Sequence, residues 1–409
     1  MPDFYQHRRI STMHHLAEFP LEEQEKALEK HVKRRPITLA LPALYDEVKR
    51  PALQRIVDEL QSVKYLEEIV VSMNRMTAEE FVHAKEFFSQ LPQDVRIIWN
   101  DGPRFVDIYK KLEEAKLTAY VPGKGYNVWM AYGYALARGT TRVIVSHDTD
   151  IISYHREMLA RLCMPAVHMN MAYEYSKSYY GRVSDRMYGR VTRLFVMPLL
   201  RSMMHAIGHH DLLDYLESFR YPLSGEFAIN LELARTLRLP GDWGLELGML
   251  CEVYRNTTTR RICQVDLGVN FEHKHQHLGT DRDNPNPQAD KGLMKMAHDI
   301  ALTLFSSLGS EGVVLGRSLL KSVRLTYDRM AKETIVIYHD DALVNGLNYF
   351  RHEEAEAVEA FSRALDIAID EYVAKDYHSP QIPNWNRTFS ALPDLAEEIQ
   401  EAVEKDNGE

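Results

Sequence analysis

The stretch Arg142-Val-Ile-Val-Ser-His-Asp-Thr-Asp150 joins a short apolar run to two carboxylates that stand one residue apart. The β-branched run predicts a buried strand. Side chains of an extended chain alternate in direction, so Asp148 and Asp150 leave on the same side and can meet one divalent cation or its phosphate ligand. The alternative is an ordinary polar turn in which Asp150 caps the next helix. Because Asp-x-Asp is short enough to arise by chance, its place in the fold has to decide between the two.

Three similar runs precede this one and complete the pattern of a parallel sheet. They cover 37–41, 69–72 and 95–99, at the spacing of about thirty residues that β-α-β units require. Together with 142–146 they predict a doubly wound α/β architecture. Such sheets bind their ligands outside the carboxyl ends of the strands, which is where the two carboxylates stand.

The segments between the predicted strands have the apolar period of helices. Residues 47–62 carry one apolar face, and Thr77-Ala-Glu-Glu80 has the pattern of a capping box. A further apolar helix is expected over 127–137. Helices of this kind cover both faces of a parallel sheet.

Beyond residue 150 the chain is predicted to be mostly helical. Two strand-like pieces stand out, at 262–269 and 334–338. The segment 353–374 has acids early and apolar residues at helical spacing. It predicts an amphipathic helix that packs on the body of the protein or on a second subunit.

The composition is that of an ordinary globular protein. With 409 residues, of which 45% are hydrophobic and 26% charged, the chain can bury a large core. A formal net charge of -10 argues against general affinity for nucleic acids. The three cysteines form no Cys-x-x-Cys, which argues against a disulfide scaffold and a thiolate zinc site. Neither a membrane-spanning run nor a signal-peptide core is present, so a cytoplasmic protein is expected.

Two segments near the predicted strand ends could hold a nucleotide. Leu41-Pro-Ala-Leu-Tyr-Asp-Glu47 leaves the first strand where base and ribose lie in sheets of this kind. Its alternative is an ordinary first helical turn enriched in acids. Gly123-Lys-Gly125 offers a cation and backbone amides at a helix start, which suit phosphate or ribose. Its alternative is a tight turn with a solvated lysine.

Two later segments carry clustered cations and histidines. Residues 177–193 hold five cations and one acid in an otherwise acidic chain. Glycines directly before Arg182 and Arg190 fit a helix poorly, and they predict a loop whose arginines bind phosphate or carboxylate oxygens, rather than a solvated helix face. Gln264-Val-Asp-Leu-Gly-Val269 runs into Glu272-His-Lys-His-Gln-His277, where a histidine could ligate a metal or lie inert at the surface.

Together these segments resemble one enzyme family, the glucosyl-3-phosphoglycerate synthases, which are retaining GT-A-type glycosyltransferases of family 81. The resemblance covers roughly residues 36–277. The shared strings occur in the family's order: Leu-Pro-Ala-Leu (41–44), Gly-Lys-Gly (123–125), Asp-x-Asp (148–150), Gly-Arg-Val-Thr (189–192), Pro-Leu-Leu (198–200), Pro-Leu-Ser-Gly-Glu (222–226), Gly-Leu-Glu-Leu-Gly (244–248) and Gln-Val-Asp-Leu-Gly-Val (264–269). The longer strings are far more specific than Asp-x-Asp.

The resemblance implies substrate contacts for the matching residues. The nucleotide-sugar donor would be held by Pro42, Ala43, Leu44, Asp46, Ser72, Lys124, Asp148 and Leu223. The phosphorylated acceptor would be held by Gly189, Arg190, Thr192 and His275.

The resemblance also implies a divalent cation, Mg²⁺ or Mn²⁺, with Co²⁺ as a further option. Asp150 and His273 would be its ligands, while Glu246 and Asp148 would serve the reacting sugar as catalytic residues. The sequence departs from the family here, since an extra residue precedes His273 and His275 stands where Asn is frequent. His277 therefore stays a third candidate for the metal.

The implied reaction moves glucose from a nucleoside diphosphate sugar, UDP-glucose, to 3-phospho-D-glycerate. Three alternatives stay open. One is a mannosyl-3-phosphoglycerate synthase of the same fold. Another is a haloacid-dehalogenase-like phosphatase, in which Asp148 attacks phosphate and Asp340 and Asp341 form the downstream acidic pair. The third is a sugar-nucleotide-binding scaffold without catalysis.

The implied fold class is α/β, a GT-A-type doubly wound, mainly parallel sheet with helical extensions at both ends. A helical arm is expected over 1–35, a nucleotide-sugar-binding region over 36–230, and an acceptor-binding and helical region over 231–409. The expected partners are the sugar-nucleotide donor, the phosphorylated small-acid acceptor and a second copy in a homodimer. Neither nucleic acid nor a membrane is expected as a partner.

Overall fold

The structure, a computed structural model, describes residue 6, residues 9–269, residue 278, residues 291–375 and residues 381–408. The strands of this part of the chain are β1 (Ser11–Met13), β2 (Ile37–Leu44), β3 (Glu68–Asn74), β4 (Asp94–Trp99), β5 (Val143–Ser146), β6 (Tyr175–Gly181), β7 (Phe227–Asn230), β8 (Leu239–Pro240), β9 (Ile262–Val269) and β10 (Gln381–Ile382).

The α-helices of the same residues alternate with the strands at first and dominate later. They are α1 (Leu21–His31), α2 (Tyr45–Val48), α3 (Pro51–Leu60), α4 (Ala78–Phe88), α5 (Pro103–Glu114), α6 (Lys124–Arg138), α7 (Arg156–Val167), α8 (Met197–Ile207), α9 (Asp211–Glu217), α10 (Leu231–Thr236), α11 (Leu245–Asn256), α12 (Gly292–Ser310), α13 (Arg317–Val344), α14 (Arg351–Lys375), α15 (Trp385–Ala391) and α16 (Leu395–Asn407). A π-helical segment, Val191–Val196, runs into α8, and a 3₁₀ turn, Thr259–Arg261, precedes β9.

Eight strands form one sheet in the order β1-β9-β6-β7-β5-β2-β3-β4, and β8 pairs with β10 in a small second sheet. Within the large sheet β7 runs antiparallel to β5 and β6, and the other described pairings are parallel. Helices lie on both faces, so the predicted doubly wound, mainly parallel sheet is confirmed.

Strand alternation divides the apolar interior into two layers. Leu39 and Leu41 of β2 join a core that includes residues of α1, α3, α4 and α7. Ala40, between them, faces a larger core built from α5, α6 and most later helices. Successive side chains of a strand point to opposite faces, which is why one strand serves both layers.

The chain order of the strands reverses at β2, and this opens a crevice. From β2 the chain moves outward to β3 and β4, whereas β5 pairs with the other side of β2, with Ala40 opposite Ser146. The carboxyl ends of β2 and β5 therefore adjoin, and ligands bind at such switch points. Asp148 and Asp150 follow β5 directly at this edge.

Most of the predicted elements are confirmed, with small changes at their ends. β2 runs three residues beyond the prediction, through Pro42 to Leu44. Pro51 divides the predicted helix over 47–62 into α2 and α3, because proline lacks the N–H that a continuous helix needs. Thr77 and Glu80 form the predicted capping box of α4. The helix predicted over 353–374 is α14, and it packs against α12 and α13 of the same chain.

The strand predicted over 334–338 is wrong, because these residues lie inside the long helix α13. The β-branched pentapeptide has a strand-like composition, but its flanks have helical period: Leu320, Val323, Tyr327, Ala331 and Ile335 are buried along one face. Ile337 is 65% exposed, so the apolar run is not a buried strand.

The C-terminal residues return to the first half of the sheet. α16 packs on α5, α6 and β4. The side-chain amide of Asn407 accepts from the Ile97 N–H at 3.1 Å and donates to the Ile97 carbonyl at 2.9 Å. It therefore satisfies the backbone of the edge strand β4. Among the described helices, none is both long and apolar enough to cross a lipid bilayer.

Candidate functional site

Asp148 and Asp150 stand at the carboxyl edge of the sheet, on a buried base. His147, between them and β5, is fully buried and lies edge-on to the Tyr154 ring at 5.6 Å. Burial lowers the pKa of His147 to about 3, although Asp148 raises it. The imidazole is therefore neutral at physiological pH and adds no charge beneath the two acids.

Lys124 connects Asp148 to Glu246. Its Nζ lies 2.6 Å from Asp148 Oδ1 and 2.9 Å from Glu246 Oε1. Burial lowers the pKa of Lys124, but the two carboxylates outweigh it and hold the pKa well above its ordinary value. All three side chains are partly exposed, so the cluster borders the crevice.

Lys124 reaches these two acids because Gly125, the next residue, packs closely against the backbone at Pro240. A Cβ on Gly125 would lie 2.4 Å from the Pro240 carbonyl oxygen, so a larger residue would push the start of α6 away. The segment after Pro240 leads into α11, which carries Glu246 in its first turn. There Asp242 accepts the Gly244 N–H at 2.8 Å and fixes that turn.

Burial raises the pKa of Asp242 to about 6, and Asp299 raises it as well. Asp299 accepts from Lys295 Nζ at 2.7 Å. Asp299 also pairs with His298 at 3.0 Å and accepts the Trp243 N–H at 3.4 Å, so the turn before Glu246 is held by two acids with a lysine and a histidine beside them.

The 222–226 segment and strand β6 pack behind Asp148. A Cβ on Gly225 would lie 2.3 Å from Asp148 Oδ2, so only glycine lets the 222–226 segment pass this close to the carboxylate. Lys177 of β6 is fully buried and donates to the Ser224 carbonyl at 2.5 Å. Glu226 is also fully buried and accepts from Tyr180 at 2.8 Å. Leu223, predicted to contact the donor, is half-buried in the same segment.

Burial lowers the pKa of Lys177 to about 8, against the opposing influence of Glu246 and Glu226. A buried ammonium beneath the acidic crevice is an unusual group, because charged side chains are costly to bury without a paired charge.

The residues predicted to hold the nucleotide lie on adjacent strand ends. Pro42 of β2 is opposite Ser72 of β3. Asn100 donates to Ser72 Oγ at 3.0 Å and to Asn127 Oδ1 at 3.2 Å, while Asn127 donates to the Ala43 carbonyl at 3.3 Å. This buried amide chain ties β2, β3 and α6 together.

Leu44 and Asp46 continue this edge of the sheet. Leu44 is half-buried at the end of β2, and Asp46 is exposed in α2, 3.3 Å from Lys49 Nζ. Asp46 is favourable in the first turn of α2, and because its carboxylate is exposed it is also accessible to a ligand at the carboxyl end of β2.

Arg190 directly precedes the π-helical segment Val191–Val196, and Thr192 lies in its first turn. Gly189 has φ 74°, a left-handed conformation that favours glycine, and it turns the chain into this segment. The Arg190 guanidinium binds two carboxylates of α14, through Nε to Glu354 and Nη2 to Glu353, both at 2.7 Å. Thr192 is buried.

Arg182, from the same loop, lies near Tyr221 and Asp150. Burial lowers its pKa, but Tyr221, Tyr180 and Asp150 outweigh this and raise it. The loop predicted for the 177–193 segment is found over 182–189 only, because residues 177–181 belong to β6 and residues 190–193 begin a helical segment.

The predicted metal ligands are only partly described. Asp150 is half-buried at the strand end, and its carboxylate is the hard oxygen donor that Mg²⁺ and Mn²⁺ accept. His273, His275 and His277 lie outside the described residues. Within the described ranges no three His, Cys, Asp or Glu side chains form a metal site by themselves. The donor chemistry of Asp150 fits such an ion, and the remaining ligands have to come from elsewhere.

Several residues of this site had no distinct signal in the sequence. Lys177 is one cation in a cationic segment, and its burial becomes apparent once β6 is placed inside the sheet. Asn100 and Asn127 stand apart in sequence and meet through the fold. The acids that hold Arg190 lie more than a hundred residues downstream, at the start of a helix in which early acids are ordinary.

The acidic pair of the phosphatase interpretation lies elsewhere. Asp340 and Asp341 are exposed on α13, where Asp340 accepts from His339 of its own helix. The acidic pair that this interpretation names is therefore not among the described residues around Asp148.

Comparison with known proteins adds relatives of full length. No protein-family model matches the chain. The chain is 44% identical to a glucosyl-3-phosphoglycerate synthase of Persephonella marina over 409 residues, which is 100% of both chains. It is 40% identical to the enzyme of the same name from Methanococcoides burtonii, over 98% of this chain and 97% of that one.

A solved structure shares the fold. The glucosyl-3-phosphoglycerate synthase of Mycobacterium tuberculosis superimposes with a TM-score of 0.54 at 24% identity, covering 73% of this chain and 86% of that one. That crystal structure is a complex with Mn²⁺, uridine diphosphate and phosphoglyceric acid. The likeness confirms the GT-A-type α/β class with helical extensions.

Proposed function

Because the chain belongs to the family of glucosyl-3-phosphoglycerate synthases, and is therefore a glycosyltransferase, we propose that it transfers glucose from UDP-glucose to 3-phospho-D-glycerate with retention of configuration. One observation carries the assignment of the site. Lys124 holds Asp148 and Glu246 together at the switch point of the sheet, at 2.6 and 2.9 Å.

The donor lies along the carboxyl ends of β2, β3 and β5 in this proposal. Pro42, Ala43 and Ser72 contact the nucleoside on a base that the Asn100–Asn127 amide chain makes rigid. Asp46 and Leu44 border the base and ribose, and Leu223 borders the sugar. The Lys124 ammonium serves the diphosphate, since a lysine at a helix start is a compact point charge for phosphate oxygens.

Asp150 and a histidine after β9, His273 in our assignment, hold a divalent cation. When bound, this ion supplies charge stabilisation for the departing diphosphate. β9 ends at the same edge as β5, three strand spacings away, or about 14 Å. The four Cα–Cα steps from Val269 to His273 can span at most about that distance.

Retention needs no protein nucleophile. The acceptor hydroxyl attacks the anomeric carbon on the face that the diphosphate leaves, and a phosphate oxygen of the donor takes the hydroxyl proton. Glu246 orients sugar hydroxyls beside this carbon, because Lys124 fixes its carboxylate there. Asp148 contacts the ribose and the metal region of the donor, and Gly225 lies close against its carboxylate.

Arg190 and Thr192 select the acceptor phosphate, with Gly189 shaping the turn and His275 assigned to the same phosphate. A phosphate dianion that approaches a chain of net charge -10 needs a local cation. Arginine suits it, because a planar fork gives parallel charge-assisted hydrogen bonds.

A donor-by-acceptor grid with the purified full chain tests the function. UDP-glucose, GDP-glucose and GDP-mannose are each combined with 3-phosphoglycerate or glycerate, with Mg²⁺, Mn²⁺ or a chelator. We expect glucosyl transfer to 3-phosphoglycerate that the chelator abolishes. Asp150→Ala removes it, and Asp58→Ala, an exposed carboxylate on α3, does not.

Three results would contradict the proposal. Preference for GDP-mannose would indicate a mannosyltransferase. Phosphate release from 3-phosphoglycerate without any donor would indicate a phosphatase. Donor binding without transfer would indicate a scaffold.

A further inference from the structure

The start of α14 docks on the loop that leads to Arg190. Asn348 N–H donates to the Asp185 carbonyl at 2.9 Å, and Arg186 pairs with Asn348 in an isolated parallel bridge. The Arg186 guanidinium lies over the Phe350 ring, 4.6 Å from its centroid. Backbone and side chains of the C-terminal hairpin α13–α14 thus contact the loop in three ways.

The strongest contact is ionic. Glu354 accepts from Arg190 Nε at 2.7 Å and lies 3.0 Å from Arg193 Nη1, and it is only 4% exposed. Glu353 accepts from Arg190 Nη2 at 2.7 Å. A carboxylate buried between two arginines is well defined in position, because leaving any of these charges unpaired would be costly.

This arrangement uses one edge of the Arg190 fork. Nε and Nη2 form the edge that meets the carboxylates, while a guanidinium carries five N–H donors in fixed directions. Among the described residues Nη1 makes no hydrogen bond, and the Arg190 side chain is 26% exposed, so an anion can reach the guanidinium. Because Glu353 and Glu354 hold one edge of the Arg190 guanidinium, the orientation of its other edge is fixed as well. Less conformational entropy is then lost when a ligand binds.

We propose that Glu353 and Glu354 are positioning residues of the acceptor site, through which the C-terminal hairpin α13–α14 sets the affinity for the phosphorylated acceptor. The proposal rests on the function proposed above. Its competitor is simple electrostatic blocking, in which the two carboxylates occupy the arginine that the phosphate needs. Arg186, Arg190 and Arg193 face three acids, Asp185, Glu353 and Glu354, so the cluster carries no net charge and an anion has to be met by the guanidinium edge that the carboxylates leave open.

Glu354→Gln separates the two ideas. Positioning predicts an acceptor Michaelis constant raised about tenfold, the effect of losing one charge-assisted hydrogen bond, with donor Michaelis constant and kcat nearly unchanged. Glu353→Gln, at a more exposed carboxylate, should give the same direction with a smaller effect and cannot fail by unfolding the core. Asp370→Asn is the matched control, since Asp370 pairs with Arg317 across the same hairpin at 2.6 Å.

Hydrogen exchange of the 182–193 amides is measured in the same variants without any substrate. Faster exchange in Glu354→Gln, and not in Asp370→Asn, is expected. A lowered acceptor Michaelis constant would overturn the proposal in favour of blocking. Unchanged acceptor kinetics or unchanged exchange would overturn it as well. If the unmodified chain performs no transfer at all, the proposed function is wrong, and the exchange result alone then supports or overturns the positioning of Arg190.

Discussion

Lys124 is the residue on which two acids of the crevice depend. Asp148 and Glu246 both lie within hydrogen-bonding distance of its Nζ. Without the lysine the two negatively charged carboxylates would repel each other. We expect Lys124→Met to lower kcat/KM about a hundredfold or more, the size of losing one preorganised charge at a reacting centre. The Michaelis constant for UDP-glucose should rise in the same assay.

Lys111→Met is the control, because Lys111 forms an ion pair with Glu398 at 2.6 Å on the surface. Its kinetics should match those of the unmodified chain. Full activity of Lys124→Met would show that the cation only stabilises the fold around the two acids.

Arg190 acts at the same scale on the other substrate. Arg190 is partly buried and paired, and removing one partner of a buried charge pair costs about 2 to 5 kcal/mol, so Arg190→Ala should raise the Michaelis constant for 3-phosphoglycerate steeply. Preference for this acceptor over unphosphorylated glycerate should narrow. Arg201→Ala, which breaks an ion pair with Glu217 at 2.9 Å, serves as control. A defect confined to UDP-glucose would assign Arg190 to the donor diphosphate instead.

Lys177 makes stability depend on pH. Its pKa in the folded chain, about 8, lies below the ordinary value of 10.5 because burial disfavours the ammonium. Between these two values the unfolded chain binds more protons, so the free energy of unfolding rises with pH there, by up to about 3 kcal/mol. Below pH 8 the charged amine is buried in the folded chain at full cost.

The test compares urea unfolding of the unmodified chain and of Lys177→Met across pH 7 to 10.5. The stability of the unmodified chain should increase relative to the variant as pH rises through this window. Parallel curves for the two proteins would mean that Lys177 titrates as an exposed lysine does.

At the scale of elements, the 222–226 segment closes the site by approaching Asp148. A Cβ on Gly225 would lie 2.3 Å from a carboxylate oxygen, so Gly225→Ala has to displace Asp148 or the segment. We expect at least a tenfold loss of kcat/KM, since small misplacements at a reacting centre have large effects. Gly316→Ala, where the added methyl group meets open space, should have normal kinetics. Unchanged kinetics in Gly225→Ala would show that Asp148 does not have the role proposed for it in catalysis.

Elements with a strong local signal could be predicted from the sequence. β2, β3, β4 and β5 are apolar runs bounded by turns, and Thr77 with Glu80 marks the start of α4. β1 had no such signal: Ser11–Met13 is short and half-buried, and it is a strand because it pairs with β9, some 250 residues later in the chain. Pairing over that distance is a tertiary effect that local pattern does not encode.

The same limit applies to the site. Lys124, Asp148 and Glu246 were predicted as separate motifs, and the structure brings these three together. The carboxylates that hold Arg190 could not be predicted, because an acid in the first turn of a helix is favourable with or without a partner. The histidine ligand stays a prediction, since residues 270–277 lie outside the described part of the chain.

At the scale of the molecule, the C-terminal residues complete the core of the first half. Trp385 is fully buried and stacks on Trp129 of α6 at 4.0 Å. Each indole N–H is satisfied across this contact, Trp385 by the Trp129 carbonyl at 2.9 Å and Trp129 by the Pro383 carbonyl at 2.8 Å. Gly133 leaves the space for the second ring, since a Cβ there would lie 2.2 Å from it.

This packing makes the stability of α6 depend on residues after 380, although α6 carries Lys124 at its start. Trp385→Ala removes a large ring from a closed interior and should lower the free energy of unfolding by about 3 to 5 kcal/mol. Trp385→Phe keeps most of the ring contact and loses the N–H. Its free energy of unfolding should lie between those of Trp385→Ala and the unmodified chain. Urea unfolding followed by circular dichroism measures both.

Hydrogen exchange of the β2 amides in Trp385→Ala shows whether the whole molecule loses stability or the C-terminal residues alone do. One core includes side chains of β2, α6 and α16, so opening at Trp385 should expose the sheet as well, and β2 protection should fall together with that of α16. Loss of protection in α15 and α16 alone, with β2 unchanged, would mean that the C-terminal residues unfold as a unit of their own. In that case the crevice would keep its donor affinity in Trp385→Ala, whereas a shared core predicts that donor affinity and global stability decline together.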